Sequence, residues 1–325
     1  MSIRRCIAID AMGGEGGPQL TVPATLSALR RHPALSAILV GDEETIHASL
    51  ANTDADLNDR VEIVHAPRTF LDTDKPASIL RSGRTSSLYQ AVELHKQGRA
   101  SAVVSAGNTG ALLILGRHLL KTIPNIELPA IVATLPISGS NTLLLDVGAN
   151  LSCSPQQLLQ FAIMGSVLAE VQFASKPRVA LLNVGEEPHK GTEDVRATAA
   201  LLEACSSLNY IGFIEANQIF SGQAEVIVCD GFVGNVLIKA GAGAANAVIA
   251  KIAGTSSASQ QAQLQELNPQ RFNGASLLGL QGNIVKSHGN ADELGFGCAI
   301  DLAYTEQRDD IPELIRQAMA VLYNH

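Results

Sequence analysis

Asn108 and Thr109, flanked by Gly107 and Gly110, follow the apolar run Val103-Val104-Ser105. The arrangement recurs three times. Asn150 closes Leu144-Leu145-Asp146-Val147-Gly148-Ala149-Asn150, and Asn235 closes Cys229-Asp230-Gly231-Phe232-Val233-Gly234-Asn235. Lys190 lies in Gly185-Glu186-Glu187-Pro188-His189-Lys190-Gly191, after Leu181-Leu182-Asn183-Val184. Glycine lets a backbone come close to a ligand, while Asn, Thr and Lys add donors without adding negative charge. A helix starting in such a loop also turns free amides and its positive dipole end toward the same space. Donors of this kind suit a small oxyanion, phosphate above all. Gly107, Asn108, Thr109, Gly110, Asn150 and Gly234 are the expected phosphate ligands. Lys190 could hold phosphate or a developing oxyanion, and Asn235 stands one helical turn before Lys239. None of these residues is a strong nucleophile, so the chemistry is positioning and charge stabilisation.

Such loops act together only if the fold gathers them. Short apolar runs at 6–10, 37–40, 61–64, 102–105, 130–135, 142–146, 179–183, 210–214 and 225–229 read as strands buried on both faces. Helical segments lie between most of them, including one at 109–121 that Asn108 would cap. The clearest starts at Ser154-Pro155-Gln156-Gln157, with an N-cap serine, proline at the first helical position and glutamine three residues after the cap. Asp310, Pro312 and Glu313 open a similar C-terminal helix. Strands alternating with helices predict a three-layer α/β/α fold with a mostly parallel sheet. In such a sheet, ligands bind outside the carboxyl ends of the strands, where these loops would converge. The 325 residues read as one domain, 1–325, with room for two lobes. The polar stretch 255–265 reads as an exposed connector within it.

Composition narrows the function. With 23 basic and 31 acidic side chains the net charge is 23 − 31 = −8, which disfavours non-specific nucleic-acid binding. Cys6, Cys153, Cys205, Cys229 and Cys298 are scattered, without a CxxC pair, as in a reducing cytoplasm. Cys153, just before a helix, is the one cysteine with a case for reactivity. No stretch approaches the ~20 apolar residues of a membrane span; the nearest, 240–254, contains Asn246 and Lys251. GxGxxG, GxxxxGK[ST], GxSxG and HExxH patterns are all absent, so no cofactor and no metal is expected. His288 reads as a capping residue.

Read in order, Ala11-Met12-Gly13-Gly14, Ser86-Ser87, residues 105–110, 145–150, 182–185 with Lys190-Gly191, 230–235, Gly274-Ala275-Ser276-Leu277-Leu278-Gly279 and His288-Gly289 resemble the bacterial phosphate acyltransferase family. Glu15 stands where that family's first loop usually has Asp. The resemblance covers nearly the whole chain. It implies a fold related to phosphate acetyltransferases and to isocitrate and isopropylmalate dehydrogenases, and a homodimer. It also implies transfer of a fatty acyl group from acyl-acyl carrier protein to inorganic phosphate, giving acyl phosphate for phospholipid synthesis. By resemblance Lys190 and Asn235 are catalytic, and residues 105–110 belong to the phosphate site. The partners implied are the acylated carrier protein, phosphate and a downstream membrane glycerol-3-phosphate acyltransferase.

An acidic carrier protein needs a basic patch, for which Lys75, Arg81 and Arg84 are the candidates. The expected location is cytoplasmic, with peripheral membrane contact in question. Relatives usually carry an apolar, basic helical extension where this chain has the polar 255–265 stretch. Rival readings are a phosphate acetyltransferase using acyl-CoA, an NAD-dependent dehydrogenase on the related fold, and a non-catalytic binding protein.

Overall fold

Alternate residues of a strand face opposite sides, so Ile7-Ala8-Ile9, none of it exposed, requires cover on both. The computed structural model describes residues 5–50, 57, 59–137, 140–173, 176–253 and 268–323. The expected connector at 255–265 lies outside them. The strands are β1 Arg5–Asp10, β2 Leu35–Gly41, β3 Val61–His65, β4 Ala102–Ser105, β5 Ala130–Ile137, β6 Ser140–Leu145, β7 Arg178–Leu182, β8 Asn209–Ile214, β9 Val226–Val228, β10 Ala275–Leu278 and β11 Asn283–Lys286. The helices are α1 Gly17–Arg31, α2 Glu43–Leu50, α3 Ile79–Ser82, α4 Ser87–Lys96, α5 Thr109–Leu115, α6 Pro155–Phe173, α7 Glu193–Ala204, α8 Gly231–Ala253, α9 Glu293–Arg308 and α10 Ile311–Tyr323. All nine expected strands are present. β10 and β11, four residues each, were not expected.

The chain forms two compact units, Met1–Thr122 with Asn273–Pro312 and Ile123–Phe272 with Glu313–His325. In the first, the strand order is β3-β2-β1-β4-β11-β10. All neighbours run parallel except β10 and β11. On one face Ile7, Ile9, Val104 and Val285 pack with Ala28 and Leu29 of α1 and with Phe296, Ala299 and Ile300 of α9. On the other, α4 covers β1, β2 and β4 with buried Leu88, Ala91 and Val92. Register pairs Ile9 with Val104 and Ser105 with Lys286, so β1, β4 and β11 deliver their following loops to one edge.

The second unit has the order β5-β6-β9-β7-β8, with β5 and β6 antiparallel and the rest parallel. Leu144, Ala180 and Ile227 form one face with Leu237 and Ile238 of α8. Gly165 lets α6 lie on the other face, where a Cβ would meet Val226 Cγ1 at 2.7 Å. The start of α6 is the capping box its sequence predicts. The Ser154 amide donates to Gln157 Oε1 at 2.9 Å, and the Gln157 amide to Ser154 Oγ at 3.3 Å. Leu145 and Leu181 both stand beside Val228, so β6, β9 and β7 also end together.

Two expectations are corrected. The helix expected over 109–121 is α-helical only to Leu115 and continues as a π-turn over Gly116–Leu120. And α8 supplies what the sequence reading denied, a helix of 22 residues, Gly231–Ile252, long and apolar enough by length and composition to cross a membrane. It exposes Phe232 at 60%, Val236 at 54% and Val248 at 51%. Asn246 and Lys251 interrupt the apolar residues without ending the helix, because neither is a helix breaker.

Glu306 of α9 is 2% exposed and accepts from the Ser276 hydroxyl of β10. Burial pushes its carboxyl from the ordinary 4.5 up to about 7. The native chain therefore holds a proton between those values that the unfolded chain releases. Stability is full below the unfolded value and declines as pH rises toward about 7. Glu306→Gln should leave stability near wild type at pH 4 and raise it at pH 8 by on the order of 3 kcal/mol. Denaturant melts at both values check this; equal gains at the two would place the ionisation elsewhere.

Candidate functional site

Past the end of β6 the chain buries a carboxylate, and the loop forms around it. Asp146 is fully buried, and its Oδ1 accepts from the amides of Ile131 at 3.1 Å, Gly148 at 3.1 Å and Ala149 at 3.0 Å. Its Oδ2 accepts from the Asn150 amide at 2.7 Å and from Asn150 Nδ2 at 2.9 Å. Burial pushes the carboxyl above its usual range, while these donors pull it back. Asn150 Nδ2 also donates to the Pro129 carbonyl at 2.9 Å, so its backbone and side-chain donors are all engaged. The expectation that Asn150 binds phosphate is corrected: an internal carboxylate already takes its hydrogens.

The start of α8 is closed in the same way. The Val233 amide donates to Asp230 Oδ1 at 2.8 Å, the Gly231 amide to the Asn150 carbonyl at 2.8 Å, and the Gly234 amide to the Asp230 carbonyl at 3.0 Å. Gly234 therefore offers no donor either, and its place among the phosphate ligands is corrected. Its service is steric: a Cβ there would lie 1.9 Å from the Asp146 carbonyl oxygen. Only glycine lets this turn rest on the Asp146 peptide.

Asn235, one residue on, is half-buried, and its carboxamide has no hydrogen-bond partner among the described residues. It lies over Gly148, whose φ of 134° favours glycine and whose added Cβ would stand 3.6 Å from Asn235 Cγ. Lys190 is exposed, and its stem crosses Gly185, with Cγ 3.2 Å from where a Cβ would be. Asn183 Nδ2 holds the Lys190 carbonyl at 3.3 Å. The Lys190 ammonium makes no ion pair among the described residues. The loops bearing Asn235 and Lys190 rise from β9 and β7, which are neighbours. The unit thus places a free cation and a free carboxamide at one sheet edge. Cys153 lies nearby, but burial, then the Asp146 charge, pushes its thiol up to about 12. That removes its case for reactivity.

In the first unit, β1 ends in Asp10, 1% exposed, whose carboxyl burial pushes upward. Ser105 Oγ donates to Asp10 Oδ2 at 2.7 Å and accepts from the Gly107 amide at 3.0 Å. Asn108 caps α5 through the Ala111 amide at 2.9 Å, and its Nδ2 donates to the Asp72 carbonyl at 3.2 Å. The Gly107 amide is already engaged by Ser105, so its place among the phosphate ligands is corrected. The amides of Thr109 and Gly110, the first two of α5, have no intrahelical acceptor. Lys75, Arg81 and Arg84 are exposed in the segment holding α3, with no ion pair among the described residues. His288 is held by its own amide, which donates to Asn273 Oδ1 at 3.0 Å.

Sequence reasoning missed Lys286. It ends β11 opposite Ser105, with Nζ 3.1 Å from the Ala106 carbonyl oxygen. Burial pushes its ammonium down to about 8. The signal was Gly282-Asn283-Ile284-Val285-Lys286, a β-branched pair bounded by glycine and too short to stand out.

The model of the fatty acid synthesis protein family matches residues 6–313. A phosphate acyltransferase of Shewanella amazonensis is 47% identical over 328 aligned positions, covering 96% of each chain. Among solved structures, a phosphotransacetylase from Streptococcus pyogenes has a TM-score of 0.65 at 17% identity, over 94% of each chain. An isocitrate dehydrogenase from Methylococcus capsulatus has a TM-score of 0.50 at 10% identity, over 97% of this chain and 88% of that one. Both show the α/β fold that the resemblance implies.

Since α8 has no room over Asp146, Gly234→Ala should destabilise the second unit by about 3 kcal/mol or more, the upper range for overpacking. Thermal melts beside Gly243→Ala, where an added Cβ meets nothing within 4 Å, provide the comparison. Equal melting of the two variants would show that the contact relaxes freely.

Proposed function

This chain belongs to the phosphate acyltransferases of the fatty acid synthesis protein family, and from that membership we propose a specific donor, product and set of roles. The donor is a fatty acyl group on acyl carrier protein, the acceptor inorganic phosphate, and the product an acyl phosphate for phospholipid synthesis. A phosphate oxygen attacks the thioester carbonyl, forming the C–O bond as the C–S bond breaks. The proton of the hydrogen phosphate goes to the departing thiolate. Phosphate is already an anionic nucleophile, so the protein must position it and stabilise charge rather than supply a nucleophile of its own.

One observation carries the assignment of roles: Lys190 and Asn235 keep free donors, while Asp146 and Asp230 occupy the amides of the loops beside Asn235. They stabilise the oxyanion that develops on the thioester carbonyl. The amides of Asn108, Thr109 and Gly110 bind phosphate, with Gly107 kept small at the head of the loop. Lys75, Arg81 and Arg84 form the docking surface for the acidic carrier. We place the reaction in the cytoplasm, supported by five free cysteines, with the exposed apolar side of α8 as the surface for peripheral membrane contact. A homodimer, and delivery of product to a membrane glycerol-3-phosphate acyltransferase, complete this reading by family resemblance.

Trapping acyl phosphate with hydroxylamine measures the reaction directly. Long-chain acyl-carrier protein should give product, and acetyl-CoA far less; the reverse would make the chain a phosphate acetyltransferase. Lys190→Ala and Asn235→Ala should each lower kcat by roughly 10²-fold or more, with KM for phosphate little changed. A wild-type rate in either variant removes that residue from the chemistry. Arg81→Glu should raise KM for the carrier substrate several-fold and flatten its dependence on salt, leaving kcat intact. If neither quantity moves, the carrier docks elsewhere.

A further inference from the structure

Lys286 is the half-buried cation that the roles above leave unused. Register sets it beside Ser105, at the mouth of the 106–110 loop. Its ammonium donates to the Ala106 carbonyl at 3.1 Å and to its neighbour's carbonyl, Ser287 O. Both acceptors are neutral, and two of the three ammonium hydrogens are engaged by them. The carboxylates facing it, Asp72 and Asp10, act on its charge without forming an ion pair among the described residues. Asp10 is committed to Ser105, and Asp72 lies near Gly289, where an added Cβ would be 3.8 Å from Asp72 Oδ2 and 3.7 Å from the Ala106 carbonyl. His288 follows two residues along the same chain. A cation withdrawn from water, with only carbonyls as hydrogen-bond acceptors and no carboxylate in contact, is costly unless an anion joins it. Such a group at the edge of a cleft is a functional candidate on physical grounds.

The peptide it touches is the one that matters. The Ala106 carbonyl faces Lys286, while the amide of the next residue, Gly107, faces Ser105 Oγ at 3.0 Å. Lys286 and Ser105 thus hold the first peptide of the loop from opposite ends, and Ser105 is itself anchored on Asp10. Beyond it come the unengaged amides of Thr109 and Gly110. Those amides are neutral and cannot by themselves balance a dianion, in a chain whose net charge is −8.

We propose that Lys286 is the phosphate-binding cation of the 106–110 loop, its third ammonium hydrogen directed to the inorganic phosphate. This rests on the reading that phosphate binds in that loop.

Calorimetric titration of the full chain with inorganic phosphate, from pH 6.5 to 9.5, tests it. In the wild type, affinity should fall as pH passes about 8, where Lys286 loses its proton, by about tenfold per pH unit beyond it. Lys286→Met should bind phosphate roughly thirtyfold more weakly at pH 7 and lack that alkaline limb. Lys286→Arg, charged throughout, should hold its affinity at pH 9.5. A phosphate Kd for Lys286→Met within twofold of wild type at pH 7 overturns the proposal. If circular dichroism shows that Lys286→Met does not fold, an alkaline limb unchanged in Lys286→Arg overturns it instead. Thr109→Pro, which removes one of the unengaged amides at the first helical position, where proline is tolerated, separates the two claims. Weaker phosphate binding there, with binding unchanged in Lys286→Met, sinks Lys286 alone; no effect in either sinks the loop as well.

Discussion

A carboxylate buried at the end of a strand must be given donors, and that demand decides which loop amides are left for a ligand. Asp146 takes the amides of Ile131, Gly148, Ala149 and Asn150 together with the Asn150 side chain. Asp230 takes Val233 in the next loop. What resembles an anion-binding edge is thus already filled by anions belonging to the chain. The free groups that remain there, Lys190 and Asn235, stand out against a saturated background. Hydrogen bonds made by neighbouring groups hold both without engaging their side-chain donors, which is what preorganised electrostatic catalysis requires.

The first unit solves the same problem with fewer donors. Asp10 receives the Ser105 hydroxyl, and its Oδ1 is buried without a hydrogen-bond partner. Asn108, which is neutral, takes the place that Asp230 holds in the second unit as cap of the following helix. The difference in charge matters: a carboxylate cap at 108 would repel a phosphate at the same helix start, whereas a carboxamide does not. Of the two edges, this one keeps the features of an anion cradle.

The sequence made the strands and the positions of the loops legible, because uniformly apolar runs ending in glycine have few alternatives in a parallel sheet. It did not reveal which amides were already engaged. Asn150 and Gly234 have the right residue types at the right place, yet their hydrogens point to Asp146 and to the Asp230 carbonyl. Nothing in the local pattern announces a side chain turning back on its own loop. Lys286 escaped for another reason: β11 is too short for periodicity to register, and its meaning depends on pairing with β4, far away in sequence. Cys153 stands just before a helix, the one cysteine with a case for reactivity, but burial beside Asp146 decides its character.

Lys190 and Lys286 differ in a way that bears on an acidic protein handling anions. Lys190 is exposed, so its field is screened over a Debye length of about 8 Å at physiological salt. Lys286 is half-buried, so its field is less screened and its proton less secure. An exposed cation suits charge that appears only briefly as a bond breaks, since it is solvated before and after. A partly desolvated one suits an anion that must be held through the whole reaction, because binding relieves the cost of its burial. On the proposed division the net charge of −8 is no obstacle, since selectivity would rest on one desolvated lysine and a few oriented amides, and the rest of the surface can repel anions that lack such a place to sit.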